Sequence, residues 1–264
     1  MLAGRRIAVF LPAFNTATPL AMTLQAIPKG IADDVIVVDD GSHDNSAEVG
    51  RSLGAIVVSH PQNRGYGAAQ KTGFQEALKR GADIIVMLHS DFQYDPSLVP
   101  AIVKPIAEGR ADACFGSRMH RKRDALKGGM PWWRFVANVG LTTIEDAVLR
   151  LGLSEYHTGY RAYSSQTLQR IPWILNSNHY VFDTEMIAQL RAGNCRVAEI
   201  PIPTRYAEES CSPTFAKSVR YGFSTLGVLW SYILHTLQIR RQAKFEIRPM
   251  TILVRAEQRI AVAA

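Results

Sequence analysis

The sequence predicts an α/β protein built on a doubly wound, mostly parallel central sheet flanked by helices. Short apolar runs such as Val35–Val38 and Ile84–Leu88 have strand length and no polar alternation, the pattern of strands buried on both faces. They alternate with segments of helix length. Several runs end abruptly in polar, turn-forming residues, at the sheet edge where open α/β proteins bind ligands.

In order, Ile7–Leu11 reads as the first strand, ending at Pro12-Ala13-Phe14-Asn15. Thr18-Pro19 supplies a cap and a proline at the first helical position, for a helix running to about Ile27 and stopped by Pro28. Val35–Val38 is a strand, Ser42–Asn45 caps a helix ending at Gly54, and Ala55–Ser59 is a third strand. The loop His60–Gly67 leads to a helix ending near Gly81, and Asp83–Leu88 empties into His89-Ser90-Asp91-Phe92-Gln93-Tyr94-Asp95-Pro96. A helix from Ser97 to about Glu108 and a strand over Asp112–Phe115 complete this half. Beyond it the sequence reads as a long loop over Gly116–Arg134, helices over Phe135–Arg150 and Phe182–Ala192, an edge strand over Arg196–Pro203 marked by Pro201 and Pro203, and a long helix from Phe215 to about Gln242. Residues 1–240 are expected to form one domain, with a nucleotide-binding half over about 1–117 and an acceptor half over about 118–240, followed by a tail over 241–264.

The net charge of +7 favours an anionic partner without choosing among nucleotide, phosphorylated lipid, membrane surface and nucleic acid. Cys114, Cys195 and Cys211 are odd in number and far apart, which argues against a disulfide framework and for a reducing, cytoplasmic setting. The N-terminal apolar run is too short for a signal peptide.

Three strand ends converge if the sheet is parallel. Pro12–Asn15 and Asp39-Asp40-Gly41-Ser42 would floor a nucleotide site. At the third, His89, Asp91 and Gln93 share one side of an extended chain and offer donors suited to Mg²⁺ or Mn²⁺ shared with substrate phosphates. Asp95 either joins these donors from the turn or supplies capping chemistry for the turn that follows. Asn63-Arg64-Gly65-Tyr66-Gly67 opens a helix, so its backbone N–H groups make either an anion site or simply a tight turn. It is neither a P-loop nor a dinucleotide fingerprint.

Pro12-Ala13-Phe14-Asn15, Val37-Val38-Asp39-Asp40-Gly41-Ser42-x-Asp44, Asn63-Arg64-Gly65-Tyr66-Gly67, Asp91-x-Gln93-x-x-Pro96 and Gly116-Ser117-Arg118 occur in that order. The set resembles the family 2 inverting glycosyltransferases of GT-A fold. With Tyr156–Arg161 and Ile200–Tyr206 it is similar to their dolichol- and polyprenyl-phosphate sugar transferase branch. The resemblance implies a UDP- or GDP-linked sugar donor, a divalent cation (Mg²⁺ or Mn²⁺) and a polyprenyl or dolichyl phosphate acceptor. It places Asp39 at the base or ribose, Asp40 at the ribose or diphosphate, Pro12 and Ala13 along the base pocket, Asp91 on the metal with Gln93 assisting, and Arg118 at a phosphate. Asn15, Gly41, Asn63 and Gly65 complete the expected donor site. In this sequence His89 replaces the usual first aspartate of Asp-x-Asp, and Thr16 stands where a glutamate is usual.

A lipid phosphate acceptor is already an anion, whereas a hydroxyl acceptor requires a base, for which Asp183 and Glu185 are candidates. Two apart on a helix, they face different ways, and the bland reading makes both surface charges. Arg118–Arg134 holds six Lys or Arg and the pair Trp132-Trp133, suited to a membrane interface or a phosphate-bearing acceptor; the strand-end motifs argue against nucleic acid. His157 and Tyr160 are candidates for the acceptor cleft. Tyr221–Ile239 is uncharged for 19 residues but too polar for a membrane span, so it reads as a packed or interfacial helix and the protein as cytoplasmic, at the inner face of the membrane. Two rival readings are a degenerate GT-A module that binds nucleotide or a protein partner, motivated by His89, and a nucleotidyltransferase, disfavoured because Phe14–Thr18 lacks a Gly-rich basic loop.

Overall fold

The computed structural model describes residues 4–120, 130–203 and 215–247. The basic residues of 121–129, Thr204–Tyr206 of the last motif and the expected tail past 247 lie outside these residues. One seven-stranded sheet holds the chain together, in the order β3-β2-β1-β4-β6-β5-β7. The strands are β1 (Ile7–Ala13), β2 (Asp34–Asp39), β3 (Ile56–Ser59), β4 (Ile84–Met87), β5 (Ala113–Ser117), β6 (Arg161–Ser164) and β7 (Val197–Pro201). All pairings are parallel except those of β6, which runs antiparallel to both β4 and β5.

Strand alternation divides the core in two. Ala8 and Phe10 of β1 face a cluster built with α3 (Tyr66–Lys79), α7 (Phe182–Ala192) and α8 (Phe215–Thr236). Ile7, Val9 and Leu11 face a cluster built with α1 (Ala17–Ala26) and α4 (Val99–Ala107). The remaining helices are α2 (Ser46–Ser52), α5 (Trp132–Leu149) and α6 (Ser165–Arg170). Among the described residues no helix is long and apolar enough to cross a membrane.

Several expectations are corrected. The stretch 161–170, given no element from sequence, forms β6 and α6; β6 is only four residues long and opens on a fully buried arginine, so it carries no apolar run. Helix α5 begins at Trp132, not Phe135, because Pro131 takes the N-cap position. Helix α1 starts at Ala17, one residue before the expected Thr18 cap, and Pro19 falls inside its first turn. β7 lies at the sheet edge as its prolines require.

Candidate active site

At the carboxyl ends of β1 and β4 a cavity of about 390 Å³ opens, walled on its other side by α5, α7 and α8. Pro12, His89, Asp91, Gln93, Arg118, His157 and Asp183 line it. Tyr66, Tyr94, Arg134, Asn138 and Tyr221 complete most of the wall.

The β4 end is not extended. Phe92 takes φ +57°, and the Gln93 N–H donates to Asp91 Oδ1 at 3.1 Å, so residues 89–93 form a tight turn rather than a continuing strand. His89, Asp91 and Gln93 nonetheless reach the same cavity. Asp95 caps the next turn, accepting from the Ser97 N–H at 2.9 Å.

The other two strand ends are knitted to each other. The Ser42 hydroxyl accepts from Asn15 N–H at 2.9 Å, Asn15 Oδ1 accepts from His43 N–H at 2.8 Å, and Asp39 Oδ1 accepts from Ser42 N–H at 3.1 Å. Gly41 sits at φ +75° with Gln62 so close that a Cβ would lie 2.6 Å from its carbonyl carbon, so only glycine fits. Asp40 is buried, and its carboxylate accepts from Arg64 N–H, Gly65 N–H and His60 Nδ1 at 2.9, 2.9 and 2.6 Å. Gly67 N–H donates to Asn178 O at 2.8 Å. Of the two readings of Asn63–Gly67, the tight turn is closer: the Arg64, Gly65 and Gly67 N–H groups are taken up by the chain itself, and Asp40 anchors that loop. Ala13, Asn15, Asp39, Asp40, Gly41, Asn63 and Gly65 do not line the cavity, whereas Pro12 does.

Asp183 and Glu185 are both buried, against the surface-charge reading. Glu185 turns away to Lys244 Nζ and the Ser177 N–H, at 2.8 and 2.6 Å. Asp183 faces the cavity and accepts from Gln70 Nε2 at 2.8 Å and from the Tyr66 hydroxyl at 3.2 Å. Arg161, fully buried, lies 3.6 Å from it and also donates to the backbone oxygens of Thr158, Asp183 and Tyr156. Tyr66 and Arg161 were quoted in the sequence motifs without a role. No local signal assigns one, since Tyr66 meets Asp183 across 117 positions of chain.

Arg118 lies against Glu155, with Nε donating to Oε1 at 2.8 Å and its own backbone N–H to Oε2 at 2.7 Å, while Nη2 reaches His157 O at 3.1 Å. Burial opposes the Glu155 charge, but Arg118 and an Asn138 hydrogen bond hold that carboxyl below its ordinary range. His157 has Nε2 3.0 Å from Glu145 and Nδ1 3.2 Å from the Tyr221 hydroxyl. Tyr160 is buried and does not line the cavity. Burial, opposed by Asp91 and Asp183, holds the His89 imidazole below its ordinary value and so favours its neutral form.

Among the described residues no cluster of three or more His, Cys, Asp and Glu forms a ready metal cage. The donor set His89, Asp91 and Gln93 on one wall still fits Mg²⁺ or Mn²⁺, which keep positions for substrate phosphate oxygens.

Residues 8–171 match the family model described as Glycosyl transferase family 2. The chain belongs to that family. This member is 34% identical over 206 residues to an uncharacterized protein of Methanocaldococcus jannaschii, covering 78% of this chain and 84% of that one. It is 26% identical to the UDP-N-acetylglucosamine–dolichyl-phosphate N-acetylglucosaminyltransferase of Methanococcus voltae (79% and 89% covered). It is 28% identical to the undecaprenyl-phosphate mannosyltransferase of Micrococcus luteus (75% and 82% covered). Among solved structures, the glucosyl-3-phosphoglycerate synthase of Mycobacterium tuberculosis in complex with Mg²⁺ and UDP superposes with a TM-score of 0.69 at 22% identity, covering 87% of this chain and 80% of that one. This family 2 glycosyltransferase therefore has the GT-A fold that its sequence predicts.

Proposed function

We propose that the protein transfers a sugar, with inversion, from a UDP- or GDP-linked donor to the phosphate of a polyprenyl or dolichyl lipid at the inner face of the membrane. One observation carries the choice of acceptor. Helices α5 and α8 line the cavity with Arg134, Asn138, Ser218 and Tyr221, and expose Trp132, Val136 and Ile144, and Val219, Phe223, Leu226 and Trp230, to solvent. A cavity that presents Arg118 and Arg134 to a ligand, lined by helices whose outer side chains are apolar and exposed, matches a lipid with a phosphate head. The names of the relatives from M. voltae and M. luteus support the same acceptor class.

In this reading Pro12 in the cavity wall, with Ala13, Asn15, Asp39 and Gly41 at the strand ends outside it, shapes the base and ribose side, Asp40 holds the adjoining loop, and His89, Asp91 and Gln93 would hold the divalent cation. When bound, that cation supplies charge stabilisation for the departing diphosphate. An acceptor phosphate oxygen attacks the anomeric carbon in line, the bond from that carbon to the diphosphate oxygen breaks, and the nucleoside diphosphate leaves. Arg118, fixed by Glu155, holds a phosphate at the cavity wall. The attacking oxygen is already anionic, so Asp183 is not required as a base; its oxygens are already held by Gln70, Tyr66 and Arg161.

The test offers UDP- and GDP-sugars, with Mn²⁺, to the protein together with a short-chain polyprenyl phosphate or the matching free polyprenol. Transfer to the phosphate alone is expected, with Asp39→Ala raising donor KM and Asp91→Ala lowering kcat. Transfer to the free alcohol, or no transfer with any donor, rejects the reading. A second reading, a nucleotide-binding module without transferase activity, is favoured by His89 in place of a carboxylate. It requires nucleotide binding indifferent to Mn²⁺.

A further inference from the structure

His89 is built into its position with unusual care for a residue that replaces an acidic ligand. Its ring packs edge-on against Tyr66 and Tyr94, with centroids 5.6 and 5.2 Å apart. Gly159 lies so near that a Cβ there would sit 2.1 Å from Nε2. The Gly159 N–H is pinned in turn by the Tyr94 hydroxyl at 3.0 Å. Nε2 itself lies 2.9 Å from the Tyr66 hydroxyl, and that hydroxyl lies 3.2 Å from Asp183 Oδ2.

Hydrogen counting along this line has one solution. Arg161 is fully buried, and a guanidinium there requires an opposite charge, which Asp183 provides at 3.6 Å. An ionised carboxylate only accepts, so the single Tyr66 hydroxyl proton belongs to Asp183. The Tyr66 oxygen is then the acceptor facing His89, and Nε2 must carry a hydrogen to bond it. The opposite assignment sets two oxygens 3.2 Å apart with no proton between them. A neutral imidazole with hydrogen on Nε2 has its lone pair on Nδ1.

We propose that Arg161, Asp183 and Tyr66 form a relay that fixes the proton of His89 on Nε2 and so makes Nδ1 a neutral ligand for the divalent cation. The inference rests on the metal reading given under Proposed function. It makes Asp183 and Tyr66 positioning residues rather than a base, and explains how a site lacking one carboxylate keeps a ligand there. A carboxylate supporting a ligand imidazole through its second nitrogen is the usual outer-shell arrangement, here extended by one phenol.

Two measurements on the full chain test it. Long-range ¹H–¹⁵N correlation spectra of metal-free protein labelled on histidine, with His89→Asn for assignment, are expected to show His89 protonated on Nε2. Tyr66→Phe is expected to give a mixture of tautomers. A His89 signal protonated on Nδ1 in the unsubstituted protein overturns the relay. Mn²⁺ binding, followed by electron paramagnetic resonance with UDP or GDP present, is expected to weaken about tenfold in Tyr66→Phe, with metal-free nucleotide affinity unchanged. In a His89→Asp background, adding Tyr66→Phe is expected to change nothing. An equal loss in both backgrounds, or no loss in either, rejects the relay. Absence of any UDP or GDP binding rejects the donor reading instead, and the spectra then decide the relay on their own.

Discussion

At the scale of single residues the site depends on charges that fix one another in place. Glu155 is completely buried, and Arg118 is its ionic partner at the cavity wall. The folded protein holds the Glu155 carboxyl below the value it takes in the unfolded chain. The unfolded chain therefore binds more protons as pH drops, and the stabilisation from this pair is complete above about pH 4.5 and disappears as pH falls through the folded value. Glu155→Gln leaves Arg118 without its carboxylate and is expected to cost about 3 kcal/mol at pH 7. Urea unfolding from pH 7 to pH 3 should show the gap between the two proteins closing towards acid. A constant gap would mean that Glu155 acts through shape alone.

At the scale of elements, β6 separates what the sequence discloses from what it conceals. β1, β2 and β4 are legible because each is a buried apolar run ending in turn chemistry. β6 starts on Arg161, which sequence patterns assign to a surface, yet it runs between β4 and β5 with that arginine fully buried. Its charge is tolerated because the backbone oxygens of Thr158 and Tyr156, just before it, and the backbone oxygen and carboxylate of Asp183, on a helix some twenty residues further on, surround it. The turn after β4 is legible in the sequence for its residue types, but its left-handed Phe92 is not. Arg161→Met keeps most of the volume and removes the charge, leaving Asp183 buried without its counterion. We expect a loss of about 3 to 5 kcal/mol in chemical denaturation. Adding Asp183→Asn should recover part of it, whereas no recovery would locate the role of Arg161 in packing.

At the scale of the whole molecule, the asymmetry that matters is between one outer face and the rest. Between Arg220 and Arg240 the exposed residues of α8 and the segment after it carry no Asp, Glu, Lys or Arg, and Phe223, Trp230, Leu237 and Ile239 are each more than 60% exposed. Helix α5 adds Trp132, 74% exposed, and Val136. The sequence shows the uncharged stretch, but only the fold shows that its apolar side chains are exposed on the helix that lines the cavity with Ser218 and Tyr221, because packing decides which side of a helix is buried. With a net charge of +7, the protein should settle on an anionic bilayer with this face inward and the cavity within reach of a lipid head group. Phe223→Glu combined with Trp230→Glu puts two carboxylates where the hydrocarbon boundary would lie. In flotation assays with vesicles of anionic phospholipid we expect the bound fraction to fall more than tenfold, and added salt to weaken binding of the unsubstituted protein. Turnover with a water-soluble short-chain acceptor should persist in the double variant, because neither side chain lines the cavity. Undiminished flotation of that variant would move the membrane contact to another part of the surface.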